Sequence, residues 1–322
     1  DYYWERRKDI LIQRSSLPSM AGFDASIYAN MGEMDNKGVD ANLEYQTRIG
    51  NKVGLRLFGN LTYSKNKIVF RDEPAMQYAY QKSEGTRYGE FYGYIAEGYF
   101  QSEEEIKKSP RQMRELAPGD IKYKDLNDDG VIDANDQCYL GKSWFPSWSY
   151  GMGFNINYHN FDLALFFQGV SDVSIMANGG SIDTGNGDWG ASGVGIVPFT
   201  GMGLNPSNVI TKALDRWTAD NPRADAWYPR MTANATTNDN NYVNSTHWLK
   251  DGSYLRLKQA SLGYTLENKK LMDKGIEYLY FYLSGQNLLT FSKFKLWDPE
   301  LGSNGAKYPL SRMVTLGMRV SF

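Results

Sequence analysis

The chain has 322 residues, enough for one large or two ordinary domains, and its 35 Lys and Arg residues nearly balance its 37 Asp and Glu residues. This balance excludes a strong electrostatic footprint for nucleic acid, and the single Cys138 excludes an internal disulfide framework and a cysteine-based zinc site. With 23 Tyr, 15 Phe, 8 Trp and 32 Gly, the composition favours strands and turns, and no apolar run reaches the ~20 residues that a membrane helix needs.

Alternation of apolar and polar residues predicts strands at the start of the chain. After an opening segment at 3–13, residues 39–49 alternate, with Val39 and Leu43 on one face and Asp40 on the other. A period of two puts successive side chains on opposite faces of a strand. A short turn at 50–52 then leads to a second alternating stretch. We therefore predict a hairpin with one apolar and one polar face.

The next long connection contains an acidic motif, "DLNDDGVIDAND", at residues 125–136. Calcium loops take ligands from positions 1, 3, 5, 7, 9 and 12, with glycine at position 6, here Gly130. The last ligand is Asp136 instead of the Glu of strong sensors, and no pair of amphipathic helices flanks the loop. We expect a structural calcium site, the alternative being a turn held by its own side chains. The expected ligands are Asp125, Asn127, Asp129, the Val131 carbonyl, Asp133 and Asp136.

The same connection carries two further patterns. Residues 91–100 are expected to form an extra hairpin, and Ser102 is expected to cap a short polar helix with acidic residues in its first turn.

An aromatic run follows, in which Trp144, Trp148 and Tyr150 stand just before the next alternating stretch. We expect these three residues to form part of an aromatic girdle at a membrane interface, with substrate stacking as the alternative. A tight turn at His159 then leads to another strand.

The second long connection contains Trp227, Tyr228 and Trp248, which could stack on a sugar or pack locally. Both readings stay open on sequence alone. With 2 His residues and no nucleophile motif, we expect no hydrolase triad and no enzyme.

Three more strands, at 253–266, 277–288 and 309–322, bring the expected number to eight. Tyr278, Tyr280 and Tyr282 share one face of the second of these. The last strand ends on Phe322, and such a terminal aromatic resembles the signal by which outer-membrane barrels are recognised for insertion. We therefore assign Phe322 to barrel insertion.

Short turns alternate with long connections along the chain. Such asymmetry is typical of outer-membrane barrels, and it is unusual in a soluble sandwich. The sequence therefore predicts an all-β fold, a transmembrane antiparallel β-barrel. The expected long loops are 14–38, 70–143, 171–250 and 290–308.

Six motifs in order resemble the C-terminal part of SusC/RagA-type TonB-linked outer-membrane transporters. The resemblance implies that residues 1–322 supply about eight strands of a probable 22-stranded barrel, with the N-terminal plug domain absent from this chain. A free-standing eight-stranded barrel is the alternative. The motifs are "NMGEMDNKGVD" (30–40), the acidic loop (125–136), "ALDRWTADNP" (213–222), "DGSYLRLKQASLGYTL" (251–266), "GQNLLTFSKFKLWDPELG" (285–302) and "YPLSRMVTLGMRVSF" (308–322).

The resemblance also implies a function and a location. It implies TonB-dependent import of an oligosaccharide or peptide through the outer membrane of a Gram-negative bacterium of the Bacteroidetes type. The implied partners are a SusD-like surface lipoprotein, TonB through missing N-terminal sequence, and outer-membrane lipid. Short turns would be periplasmic, and the loops 70–143 and 171–250 would be extracellular. The alternative is a structural or adhesive barrel that binds ligands in its loops without transport.

Overall fold

The computed structural model describes residues 1–16, 27–50, 52–178, 211–231, 239–303, 305 and 308–322. Three short helices lie among them: α1 (Glu103–Lys108), α2 (Asp239–Tyr242) and α3 (Lys269–Met272). In these ranges no helix has the length and apolar character needed to cross a membrane. The strands are β1 (Tyr2–Gln13), β2 (Tyr28–Ile49), β3 (Val53–Phe70), β4 (Glu90–Gly93), β5 (Ala96–Tyr99), β6 (Ile121–Tyr123), β7 (Cys138–Ser143), β8 (Trp148–Tyr158), β9 (Phe161–Ser171), β10 (Ser174–Met176), β11 (Leu249–Asp251), β12 (Tyr254–Leu266), β13 (Tyr278–Ser292) and β14 (Met313–Ser321).

Eight of these strands form one antiparallel sheet in the order β1-β2-β3-β8-β9-β12-β13-β14. The prediction of eight long strands is confirmed. Within the described residues β1 and β14 lie at the two edges without pairing to each other, so the sheet is open. The alternative of a free-standing closed barrel is therefore wrong for this chain.

The two faces of the sheet differ in chemistry. On the polar face, Asp40 lies opposite Thr62, and Thr62 lies opposite Ser149. On the other face large apolar side chains are exposed, because no other layer of the chain covers them. Such a face is stable where lipid surrounds it. Its exposed members include Leu43, Leu57, Met152, Phe161, Leu262, Leu283, Leu289 and Leu316.

The contacts of the tyrosines of β13 show on which face of the sheet they lie. Tyr280 Oη donates a hydrogen bond to Asp162 Oδ2 at 3.0 Å, and the Tyr282 ring lies over Gly317. Because Asp162 belongs to the polar face, the tyrosines share that face.

Strand β2 is longer than predicted. It runs for 22 residues, and its first half pairs with β1, for example Gly38 with Tyr3. The predicted loop at 14–38 is thus wrong for residues 28–38. This half carries no apolar stripe, and its pairing with β1 consists of the backbone ladder with exposed ion pairs such as Arg6–Asp35, 2.6 Å apart, beside it. Residues 17–26 lie outside the described ranges.

The two long connections fold on each other. β4 pairs with β7, β5 with β6, and β10 with β11, so the predicted hairpin at 91–100 is wrong. The capped helix is confirmed, since the Ser102 Oγ accepts from the Glu105 backbone N–H at 3.2 Å. The buried residues between the connections, here called the loop core, are Tyr94, Tyr99, Ile121, Tyr123, Ile132, Met176, Ala213, Trp217, Ala226, Tyr228 and Trp248.

A buried polar network joins the same connections. Gln112 Nε2 donates to Asn240 Oδ1 at 2.7 Å, and Asn241 Nδ2 donates to Asp120 Oδ1 at 2.8 Å. Tyr123 Oη donates to the Asn240 carbonyl at 2.6 Å. Since buried polar groups are expensive to leave unpaired, these bonds fix one relative arrangement of the two connections.

Candidate functional site

The acidic loop has the internal bonds of a calcium loop. Asp125 Oδ2 accepts from the Gly130 N–H at 2.8 Å, which closes the loop from position 1 to position 6. Gly130 has φ 82°, the left-handed conformation that the sharp turn at this position requires. Asp129 Oδ1 accepts from the Val131 N–H at 2.8 Å, and Asn127 Oδ1 accepts from the Asp129 N–H at 3.2 Å.

One oxygen in this loop fits an ion. Asp125 Oδ1 is buried and accepts no hydrogen bond from the described part of the chain. A buried carboxylate oxygen without a partner is unfavourable unless a cation or water satisfies it. At the other end, both Asp136 oxygens already accept backbone N–H groups, from Leu126 at 2.7 Å and Asp133 at 2.9 Å. A carboxylate oxygen has a second lone pair, so these bonds leave room for a ligand contact.

The donor set relies on more than acidic side chains. Across the described ranges, no three His, Cys, Asp or Glu side chains converge as a metal centre by themselves. Of the six predicted ligands, Asn127 supplies an amide oxygen and Val131 a backbone carbonyl, and both are oxygen donors that calcium accepts. The residues therefore fit calcium better than a transition metal.

The loop is anchored to the loop core through its hydrophobic position. Ile132 is 1% exposed, and its N–H donates to the Arg111 carbonyl at 2.8 Å. Arg111 N–H donates in turn to the Gly130 carbonyl at 3.0 Å. Because Gln112 follows in sequence and belongs to the buried network, an ion here would stiffen both connections.

The three aromatic residues predicted for substrate stacking lie together, but mostly inside. Tyr228 and Trp248 are 0% exposed, so their ring faces are covered by the loop core. Their rings meet edge to face, 5.6 Å apart. Trp227 is half-buried and packs edge to face on Trp248 at 5.5 Å. Of the three, Trp227 is the residue that retains accessible surface.

Trp227 has cationic neighbours. Lys250 Nζ lies 5.2 Å and Lys212 Nζ 6.0 Å from the indole centroid. His247 contacts the Trp227 carbonyl through Nε2 at 3.2 Å. Burial, with Lys250 adding to it, lowers the pKa of His247 to about 4, so this imidazole is neutral at physiological pH.

The aromatics predicted for the membrane interface lie at the long-loop end of β3 and β8. Trp148 and Tyr150 belong to the apolar face, opposite Tyr63 and Leu61. Trp144 is 52% exposed and packs edge to face on Phe145. This arrangement is compatible with a girdle, which stays a prediction. Phe322 follows β14 and is also exposed, and its role in insertion stays a prediction as well.

Sequence reasoning missed a cavity of about 450 Å³ on the polar face, lined by residues of the four neighbouring strands β2, β3, β8 and β9. Gly151 of β8 lines the cavity, and a Cβ there would meet Asn60 Oδ1 at 2.8 Å and Phe166 Cζ at 3.1 Å. Phe166, which also lines the cavity, stacks on Phe58 with their ring centroids 6.0 Å apart. Alternating glycines on the polar side of β8 were the available signal. The lining includes Asp40, Asn42, Asn60, Thr62, Ser149, Phe166 and Gln168.

A buried ion pair was also missed. Arg256 on β12 is 1% exposed, and its Nη2 donates to both Asp298 oxygens, at 2.6 and 2.8 Å. Glu300 lies 3.5 Å from Arg256 Nη1. This contact fastens the β13–β14 connection against the polar face of the sheet.

An open antiparallel sheet with an exposed apolar face, a polar opposite face and folded loops at one end defines part of the wall of an outer-membrane β-barrel. No protein-family model matches the chain. Over its whole length it is 27% identical to TonB-dependent receptor P3 and 28% to TonB-dependent receptor P26 of Formosa agariphila, covering 32% of each. It is 22% identical over 98% of its length to TonB-dependent receptor SusC of Bacteroides thetaiotaomicron, covering 29% of that protein.

Solved structures show the same fold. The RagAB peptide importer in its open-open state matches all of the chain and 32% of the solved chain with a TM-score of 0.70, and its closed-closed state matches with 0.68, both at 23% identity. Over its whole length the chain is therefore similar to part of proteins named as TonB-dependent receptors, which fits a C-terminal fragment of a SusC/RagA-type transporter. It spans about a third of the length of the relatives it matches. Those relatives are receptors and transporters, not enzymes, in agreement with the prediction.

Proposed function

We propose that the chain forms part of the wall and extracellular mouth of a TonB-dependent importer, which carries an oligosaccharide or a peptide across the outer membrane. The observation that carries the proposal is the two-faced eight-stranded sheet. Its apolar face suits lipid, and its polar face suits a hydrated lumen. The curated relatives are named as TonB-dependent receptors, which supports active import over passive diffusion.

The partners follow from the same proposal. Energy would enter through TonB and a plug domain encoded upstream of this chain. The end of the sheet that carries the loop core would face outward, where a SusD-like surface lipoprotein covers the mouth. The described part of the loop unit has its own buried core, which would reduce the conformational entropy lost when such a partner docks.

Calcium is proposed as a structural ion in residues 125–136. The support is the buried, unpartnered Asp125 Oδ1 together with the closed loop beneath it. Asp125, Asn127, Asp129, Val131, Asp133 and Asp136 would hold the ion. When bound, it would neutralise part of a dense acidic cluster and so stiffen the loop.

The function is tested in the bacterium with the full-length gene. The cargo is identified as the glycan or peptide on which a gene-deletion strain fails to grow. Energy-dependent uptake of that cargo is expected to be absent from the deletion strain. Complementation with the wild-type gene should restore uptake, and a variant lacking the upstream TonB-contacting segment should not.

The same strains separate transport from adhesion. A deletion strain that takes up every tested glycan and peptide normally, but loses ligand binding at its surface, would favour the adhesive barrel. An upstream sequence without a plug domain would lead to the same conclusion.

A further inference from the structure

The side chain of Lys250 is mostly enclosed, and its ammonium has no counter-charge among the residues that the structure describes. Its Nζ donates to the His247 carbonyl at 2.6 Å, which uses one of three N–H groups. Among the described residues no carboxylate lies within ion-pair distance of it, and burial followed by repulsion from Lys212 lowers its pKa. Removing a cation from water without a negative partner is unfavourable.

The surroundings of Lys250 do not supply the missing charge. The carboxylate of Asp215 lies beside Lys212 and already binds two cations, Lys212 and Arg223, each at 2.8 Å. His247 is neutral at physiological pH and contributes no negative charge. The region around the Trp227 indole therefore carries a net positive charge.

The indole compensates for only part of this charge. Lys250 and Lys212 both lie within cation–π distance of Trp227, at 5.2 and 6.0 Å from its centroid. A purely structural side chain at position 250 could fill the same space without a charge, since the lysine stem makes the apolar contacts. The enclosed, unpaired charge of Lys250 makes it a candidate for a functional site.

We propose that Lys250, Lys212 and Trp227 form a subsite for a carboxylate group of the cargo. The two ammonium groups would bind the carboxylate, and the indole would form the apolar wall beside it. The inference rests on the proposed import function and narrows its cargo to acidic molecules. A carboxylate could come from a uronic acid in an oligosaccharide or from an acidic side chain in a peptide.

The test uses the purified full-length receptor and calorimetric titration with two pairs of probes. One pair is trigalacturonate and its methyl ester, and the other is a short aspartate peptide with blocked ends and its asparagine counterpart. For at least one pair, the acidic member is expected to bind at least tenfold more tightly, with an affinity that falls as salt rises. The pair that shows the difference identifies the source of the carboxylate.

Variants assign the effect to the site. Lys250→Met is expected to reduce the affinity for the acidic probe to that for its neutral counterpart, and Lys212→Met is expected to reduce it partly. Lys293→Met is the matched control, because that lysine lies on another connection with its side chain 88% exposed. Near-ultraviolet circular dichroism identifies any variant that misfolds, and Lys212→Met then carries the test.

Two outcomes overturn the proposal. The first is equal affinity for acidic and neutral members of both pairs. The second is a Lys250→Met variant that binds acidic probes normally but loses its surface lipoprotein, which would assign the cations to a protein partner. Uptake is measured separately, so TonB-dependent growth on a neutral cargo would leave the import function intact while the acidic subsite fails. Binding of acidic probes by the purified receptor without uptake of any cargo would support the subsite and contradict the import function.

Discussion

At the scale of single residues, the hydrogen bonding of Asp125 gives physical support to the calcium-loop motif. Its spacing to Gly130 predicts a calcium loop, and the structure places one of its oxygens in a hydrogen bond and the other in a buried position without a partner. A buried carboxylate oxygen needs a cation or a water as a partner. The second oxygen therefore supports the proposed calcium site.

Asp125→Asn should abolish the stiffening of the loop by calcium. The amide keeps an oxygen for the Gly130 N–H, but it lacks the charge that draws a divalent ion. Limited proteolysis of residues 123–137 in the full-length receptor, with calcium at about 10⁻³ M or with chelator, measures the effect. Wild-type protein should be protected by calcium and the variant should not.

The matched control is Asp128→Asn in the same loop. Asp128 is exposed, is not among the predicted ligands, and has φ 58°, a conformation that asparagine adopts readily. This variant should keep calcium protection. If calcium does not protect the wild-type loop, the site is only a turn.

At the scale of elements, the β13–β14 connection is fastened by charge instead of by a large apolar core. Arg256 emerges from the polar face of β12 and bridges Asp298 and Glu300 in that connection. Breaking a buried pair by removing one partner leaves uncompensated charge behind. The connection should therefore depend on one guanidinium.

Arg256→Met should loosen this connection and destabilise the barrel by roughly 3–5 kcal/mol. Tryptic cleavage after Lys293 and Lys295 in the folded receptor, together with the thermal midpoint, measures the change. Arg56→Met is the matched control, because Arg56 makes a similar two-bonded pair with Glu44 on the same face, but with both side chains over 40% exposed. Equal cleavage in the two variants would show that Arg256 does not fasten the connection.

Element-level prediction from the sequence succeeded where the signal was local. Alternation in stretches such as 39–49 identified the long strands, because a two-residue period repeats along one segment, but it left open whether the tyrosines of β13 face the lumen. The partners in the loop core escaped prediction, since Asn241 and Asp120 lie 121 residues apart and no local pattern connects them. The first half of β2 escaped prediction because a backbone ladder pairs it with β1, and its side chains form no apolar stripe that sequence could show.

For the candidate site the same division applies. The six proposed calcium ligands share one short motif and could be proposed from sequence, whereas the burial of Tyr228 and Trp248 depends on a core assembled from two distant connections. The uncompensated charge of Lys250 is likewise a property of its neighbours in space. The sequence identified the aromatic and charged residues, but which of them remain accessible depends on tertiary packing.

At the scale of the whole molecule, the sheet has two open edges and an uncovered apolar face within the described residues. β1 and β14 present edges with unpaired backbone groups, and the apolar face exposes residues such as Leu43 and Leu316, at 76% and 81%. Lipid can cover an apolar face, but it cannot hydrogen-bond an open edge. Stability in the membrane therefore requires more strands.

The chain expressed alone should fail to give the heat-modifiable gel migration of an intact barrel, whereas the full-length receptor should show it.

Phe322→Ser in the full-length receptor should reduce the amount of assembled, heat-modifiable protein, because the exposed terminal aromatic is the predicted insertion signal. Tyr308→Ser is the control, since that aromatic is 87% exposed but lies before β14. A folded, heat-modifiable band from the isolated chain would mean that eight strands suffice, and equal assembly of the Phe322→Ser and wild-type receptors would remove the insertion role. Both measurements depend on pairing of the edge strand β14. Because β1 and β14 are open edges in this sheet, closure of the isolated chain into a barrel would contradict the requirement for more strands.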